Sequence, residues 1–259
     1  MSHALALQFD SAFGLGHVVP VLRDFGIPIK TVRLDKGESL PIDQDEVRSL
    51  ILLGGATRIT SGAPDWLDDV VNFIRPRVEV DAMTLGFGLG GQLLAKAAGA
   101  EVKPLSSDNG ADTTHVEFGR LTLPFPGGTD PILFGYATGT PQLFYQQDEF
   151  ELPKLPLPEG YDADKPGPPP PTGNALLASS PWSKNAGFRF KNRLYGFAFN
   201  PEADRAMVEA IAKTHGGAAG SLKSSADEHL DRAERMGRRL LGNAVQFMHA
   251  YNPPMPIYS

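Results

Sequence analysis

The chain of 259 residues contains no cysteine. That single absence excludes disulfides, thiolate metal sites, iron–sulfur clusters and any cysteine nucleophile. Long apolar runs are also missing: no stretch approaches the roughly 18 consecutive apolar residues that a membrane-spanning helix requires. The N-terminus, Met1 to Asp10, has no basic region, and Gln8 and Asp10 interrupt its apolar run. The expectation is therefore a cytoplasmic protein without a targeting segment. An excess of positive charge is lacking as well. Lys and Arg number 24 against 30 Asp and Glu, a formal net charge of −6, which argues against bulk attraction to nucleic acid or an anionic membrane. No internal repeat, P-loop or zinc-type spacing is present. No two histidines stand four apart, as a helical metal pair would. Neither a metal nor a cofactor is expected.

What is present is an alternation of strands and helices. Ala4–Phe9 reads as a strand, followed by a turn at Gly14 and Gly16 and a helix over His17–Phe25. Ile29–Leu34 alternates as a strand does. Ser49–Leu53 is a continuous apolar run, as suits a strand covered on both faces, and ends at Gly54-Gly55. A helix over Pro64–Arg75 carries Trp66, Val70, Phe73 and Ile74 on one face. Met83–Phe87 reads as a strand and Gly91–Ala98 as a helix ending near Gly99. This order predicts a parallel sheet flanked by helices.

Beyond Val102 the predicted strands are shorter: Val116–Leu123, Leu143–Tyr145, Ala175–Ala178, Gly187–Phe190 and Tyr195–Phe199. Pro153–Thr172 holds eight prolines and cannot form a central strand or a helix interior. It reads as a surface loop, partly polyproline II, with docking to an aromatic-lined partner groove as the functional alternative. Helices are predicted over Ala203–Lys213 and Ala226–His249. The second bears a broken apolar stripe, Leu222, His229, Leu230, Met236, Leu240, Leu241, Val245 and Met248, suited to packing on its own domain or to a partner helix. Its Arg235–Arg239 cluster reads as a solvated face. The organisation expected is a domain over 1–215, with the proline-rich insertion at 153–172, and a helical extension over 216–259 packed on it.

The chemistry should lie at Gly86-Phe87-Gly88-Leu89-Gly90-Gly91-Gln92, which follows an apolar strand and opens a helix. A strand–turn–helix elbow normally presents a nucleophile at its tip, with backbone N–H groups ready for an oxyanion. The tip here is Gly88, which tolerates the dihedral angles but has nothing to attack with. The stretch follows a late strand, not the first, which counts against a dinucleotide-binding turn.

These residues resemble the class I glutamine amidotransferases and their gamma-glutamyl hydrolase relatives. The family elbow is G-[IV]-C-x-G-x-Q followed by a helix such as L-L-A-K-A-x-G-x-x-V, matched by Gly86 through Val102. Leu50–Leu53 with Gly54-Gly55 resembles the oxyanion-strand loop, and Pro64-Asp65-Trp66-Leu67 the opening of the next helix. Leu15-Gly16, Gly26 and Gly37-Glu38-Ser39-Leu40-Pro41 fit the N-terminal loops. Asp148-Glu149-Phe150-Glu151-Leu152-Pro153 resembles H-x-D-x-F-x-L-P, and Leu177-Ala178-Ser179-Ser180 the strand after it. Phe197-Ala198-Phe199-Asn200-Pro201-Glu202 resembles F-x-[FV]-H-P-E. The likeness runs from about residue 4 to 210.

The resemblance implies an α/β three-layer sandwich with a mostly parallel central sheet, flavodoxin-like in arrangement. It also places the family's cysteine at Gly88, its histidine at Asn200 and its glutamate at Glu202, so no catalytic triad is intact. The histidine of the middle motif becomes Gln146, with Asp148 retained. Asn200 cannot accept a proton near neutral pH, and backbone amides at Gly55 and Leu89 cannot replace covalent catalysis. The expectation is a degenerate amidotransferase-like protein serving as a binding, scaffold or regulatory subunit. The alternative is a non-cysteine hydrolase or amidotransferase acting on a gamma-glutamyl or related amide, with Glu202 activating water. Gly54, Gly55, Gly88, Leu89, Gln92 and Gln146 would line a pocket for a small amide or carboxylate. A protein partner or a second copy is expected, and nucleic acid is not.

Several side chains have plainer readings beside these. Gln92 could bond locally, and Glu202 could cap a helix beginning near Ala203. Thr84, Ser106, Ser107 and His115 lie near the elbow in sequence without a nucleophile–base spacing. His115 reads as a strand histidine, His17 as a candidate for the sheet's C-terminal edge, and His215, His229 and His249 as solvated.

Overall fold

The first strand, β1 (His3–Gln8), is buried at all six positions. A strand so covered belongs in the middle of a sheet with layers on both faces. A computed structural model describes residues 2–106, 113–157, 172–215 and 219–250, the last without the side chains of 219 and 248–250. Ser107, the body of the proline-rich segment (158–171) and the side chains of Met248 and His249 lie outside the described residues.

After β1 come α1 (Val18–Asp24), β2 (Ile29–Arg33), β3 (Val47–Leu52), α2 (Leu67–Glu79), β4 (Thr84–Phe87) and α3 (Leu89–Ala97). The chain continues through β5 (Val102–Pro104), β6 (His115–Arg120), β7 (Pro141–Gln146), β8 (Asp148–Phe150), β9 (Asn174–Ala178), β10 (Gly187–Phe190) and β11 (Leu194–Phe197). It ends in α4 (Arg205–Thr214) and α5 (Ala219–Ala250). Seven strands form the central sheet in the order β2-β1-β3-β4-β11-β10-β9. Pairing is parallel from β2 to β11 and antiparallel from β11 to β9. The sheet is thus mostly parallel, and its order reverses between β1 and β3, the place where open α/β sheets bind ligands at their C-terminal strand ends. Two antiparallel pairs, β5-β8 and β6-β7, lie apart from it.

Local boundaries differ from the sequence expectation where tertiary contacts intervene. Helix α2 runs through Pro76 to Glu79, not ending at Arg75. The buried Arg77 guanidinium holds that last turn to the sheet by donating to the carbonyls of Val47 (3.2 Å) and Met83 (3.0 Å). Burial lowers its pKa to about 10, with Arg193 nearby adding to the effect. Strands β5 and β8 carry no alternation of their own, being three residues each.

Helix α5 begins at 219, ahead of the expected 226. Leu240, Leu241, Ala244 and Val245 enter the main core, while Leu222, Leu230 and Ala233 join a second cluster with Val116, Phe118, Leu143 and Tyr145. Leu222 and Leu230 of the stripe are thus covered by this chain's own α4 and β6-β7, and Leu241 and Val245 lie beside Val18 and Leu22 of α1 and Ile51 and Leu85 of the sheet. Among the described residues no helix is long and apolar enough to cross a membrane.

Candidate functional site

Strand β4 delivers the chain to Gly88, whose φ of 52° and ψ of −116° lie where side-chain-bearing residues are strained. Helix α3 starts one residue later. Gly88 N–H donates to the Phe199 carbonyl at 3.2 Å, and the Gly88 carbonyl accepts from Gly91 and Gln92. The helix start lies flush on the sheet: a Cβ at Gly90 would run into the Leu52 carbonyl oxygen, and one at Gly91 into that of Phe197. Gly86, Gly88 and Gly91 have the G-x-G-x-x-G spacing. Gly86 and Gly91 spend it on backbone packing against α3 and β11, and the turn follows the fourth strand.

Across the elbow stands Asn200, 1 % exposed. Its backbone N–H donates to the Leu143 carbonyl at 2.8 Å, which holds the segment after β11 against β7. Its side-chain Nδ2 donates to Glu202 Oε1 at 2.8 Å. The amide lies over Gly88: a Cβ there would meet Asn200 Oδ1 at 3.0 Å, Nδ2 at 3.1 Å and Cγ at 3.4 Å. A Cβ on Gly54 would collide with the same Nδ2. Gly54, Gly88, Asn200 and Glu202 therefore form one closed contact, and the asparagine amide occupies the space beside the tip.

Glu202 is wholly buried. Desolvation raises its pKa to about 7, against the lowering effect of the Asn200 hydrogen bond and of the backbone amides of Glu202 and Gly54, while Asp204 adds to the rise. Its carbonyl accepts from His17 N–H at 2.8 Å. It does not cap a helix, contrary to the simpler sequence reading. The cap of α4 is Asp204, whose Oδ1 accepts from Met207 N–H at 2.8 Å. Asp204 begins the turn because its backbone is extended there, as an N-cap requires.

The remaining expected residues are distributed around this contact. A Cβ on Gly55 would meet Leu89 Cδ2 at 2.9 Å and Asp10 Cβ at 3.5 Å, so those residues adjoin. Gln92 bonds at long range, not locally: its Nε2 donates to the Asp148 carbonyl at 3.1 Å. The Asp148 carboxylate clamps the loop after β3, accepting from Ile59 N–H (2.9 Å) and Thr60 Oγ1 (2.6 Å). Gln146 ends β7 opposite His115 and is fully buried, with neither amide atom hydrogen-bonded. A buried amide without partners is destabilising, and an apolar replacement of similar shape removes that cost. Gln146→Met is accordingly expected to raise urea stability by about 1 kcal/mol; a loss would mean that the amide binds something in solution.

The histidines divide differently from expectation. Buried His17 precedes α1 and accepts on Nδ1 from Arg238 Nε at 3.1 Å. Its pKa is lowered by burial and then by Arg238, so the neutral acceptor form is favoured. His115 stacks on Trp182 with centroids 4.5 Å apart. His215 is not on a solvated helix face: it ends α4 with Nε2 3.4 Å from Asp10 Oδ2 and its ring 5.4 Å from that of Tyr145. Asp10 follows β1 and accepts from the N–H groups of Ala12 and Ala56. This Asp10–His215 pair at the sheet's C-terminal edge escaped the sequence reading, since nothing local links the two positions. Thr84 lies at the opposite end of β4 from the elbow and donates to the Ala82 carbonyl. Among the described residues no three His, Asp or Glu side chains cluster as a metal site would require.

No protein-family model and no curated protein sequence matches the chain. Solved structures do. A glutamine amido transferase from Methylobacillus flagellatus superposes with a TM-score of 0.75 at 19% identity, covering 100% of this chain and 99% of its own. A glutamine amidotransferase from Thermotoga maritima gives 0.72 at 19% identity, with coverages of 95% and 97%. The chain has the class I glutamine amidotransferase fold. A chain of PurLQS from Thermotoga maritima is more distant, at a TM-score of 0.56 and 12% identity over 96% of this chain and 100% of that one. Within the amidotransferase fold, the elbow at Gly88 and the Asn200–Glu202 segment take up neighbouring strand ends, β4 and β11, which pair in parallel.

Proposed function

We propose that this chain is a catalytically silent amidotransferase-fold protein that works as a binding, scaffold or regulatory subunit. One observation carries the reading. The elbow tip is glycine, and the amide of Asn200 lies 3.0–3.4 Å from where a side chain would begin, tied to a fully buried Glu202. Acyl transfer by covalent catalysis needs a nucleophile and a base within hydrogen-bond reach. No nucleophile stands at the tip, Asn200 has no basic atom to activate one, and its amide fills the space beside the tip.

A second reading, hydrolysis by a water that Glu202 activates, is favoured by the pKa of about 7 at that carboxyl, close to the working pH of a general base. Full burial opposes it, because water must reach the carboxylate and the substrate together. The protein partner or second copy, the cytoplasmic location and a small amide or carboxylate ligand at the elbow belong to the same proposal.

The deciding assay is glutamine hydrolysis by the purified chain. Ammonia release is expected to equal the uncatalysed background. A rate above it that vanishes in Glu202→Ala would overturn the silent reading in favour of the water route.

A further inference from the structure

Away from the elbow, a cleft of about 510 Å³ opens between α1, α5 and the turn before β7. Its size falls within the range of small-molecule sites, roughly 300–1,000 Å³. Phe25 and Phe134 form apolar walls, and Arg238, Arg239 and Asn243 face them, with Asp24 on the lining as well. Phe134 is 76 % exposed, which leaves its ring accessible from solvent.

The two arginines are the informative part. In a chain with more acidic than basic residues, neither has a carboxylate within 4.0 Å among the described residues. Arg238 is nevertheless held by an uncharged partner. Arg238 donates through Nε to His17 Nδ1, which leaves its terminal nitrogens unspent. Arg239 lies across Gly135, where φ is +86° and a Cβ would collide with the guanidinium. Asn243 fixes the adjoining turn by donating to the carbonyls of Ile132 (3.1 Å) and Phe134 (3.0 Å). Two neighbouring guanidiniums with no carboxylate partner among the described residues suit bidentate recognition of a planar or tetrahedral anion. The exposed ring beside them suits a flat apolar body.

We propose that this cleft binds a small anion carrying a planar ring, its carboxylate or phosphate held by Arg238 and Arg239 and its ring laid on Phe134. Asp24 would accept a hydrogen bond from a donor on the ring or its substituent. The proposal is independent of the state of the elbow.

Isothermal titration of the full chain tests it with four probes: adenosine monophosphate, 4-hydroxybenzoate, inorganic phosphate and adenosine. One of the two ring-bearing anions is expected to bind at least about tenfold more tightly than phosphate or adenosine alone, and the tighter of them identifies the headgroup. Arg239→Gln is expected to weaken it by about tenfold or more, and Arg239→Lys by less, because charge survives without the fork. Phe134→Ala, at an exposed position that folding does not depend on, is expected to weaken it several-fold. Absence of binding by either ring-bearing anion at millimolar concentration overturns the proposal. So does an affinity unchanged in Arg239→Gln or Phe134→Ala.

Discussion

Gly91→Ala is expected to destabilise the native chain by about 3 kcal/mol or more, at the upper end of what overpacking costs. The added Cβ meets the carbonyl of Phe197 on β11, with the Phe197 backbone nitrogen and carbonyl carbon each 2.9 Å away. These are backbone atoms inside the sheet and cannot step aside as a side-chain tip can. Helix α3 would have to lift from β11, and the elbow would lift with it. A matched change makes the cause specific. Gly242 sits inside α5 with nothing within 4 Å of where a Cβ would stand, so Gly242→Ala is expected to stabilise by up to about 1 kcal/mol through helix propensity. Urea midpoints of the two variants should therefore move in opposite directions; a Gly91→Ala midpoint equal to the parent's would show that the close packing of α3 on β11 is wrong.

Glu202→Gln is expected to change how stability depends on pH. The native carboxyl has its pKa raised to about 7 from an ordinary 4.5, so the folded state holds that proton more tightly than the unfolded one. Its contribution is fully present below pH 4.5 and is lost as pH rises through 7. The shift corresponds to about 3 kcal/mol of stability missing at about pH 8. Glutamine keeps an oxygen to accept from Asn200 Nδ2 and carries no charge to desolvate. The variant should be more stable than the parent at about pH 8 by about 2–3 kcal/mol, with the gap closing towards about pH 5. Other titrating groups, His17 among them, are common to both proteins and cancel in the difference. A parent–variant gap that is flat across this range would mean that Glu202 is not buried as a proton-binding group.

The two expectations bear on function because they concern the same few ångströms. Glycines bring α3 and the loop after β3 close enough for an oxyanion-type turn, and Asn200 with Glu202 then closes the space over it. A carboxylate desolvated to this extent is stable chiefly when neutral. Its bond to Asn200 survives protonation on the other oxygen, Oε2, which has no hydrogen-bond partner in the structure.

Much of the fold was legible because its signals are local. Apolar runs such as Leu50–Leu53 announce strands covered on both faces, and glycine clusters mark where they end. The elbow residues Gly86 to Gln92 could be placed on a strand-to-helix turn from their order alone, as could Gly54-Gly55 and the Asn200–Glu202 segment. Helix ends were less legible. Pro76 signals a stop to local propensity, but Arg77 anchors the following turn through carbonyls of the sheet. Glu202 looks like a cap because it precedes a helix, yet Asp204 has the extended backbone that capping needs.

Residue identity alone settles that no cysteine can attack and that the Asn200 side chain cannot serve as a base, because it fixes which atoms can donate or accept a proton. The order of apolar runs and glycines likewise settles the alternation that makes a parallel sheet. Three-dimensional packing was needed to bring Asn200 over Gly88, to face His215 towards Asp10, and to put Arg238 and Arg239 in one cleft with Phe134. Each of those contacts joins segments whose separation along the chain leaves no periodicity, and each depends on how helices and strand ends pack once the sheet has formed.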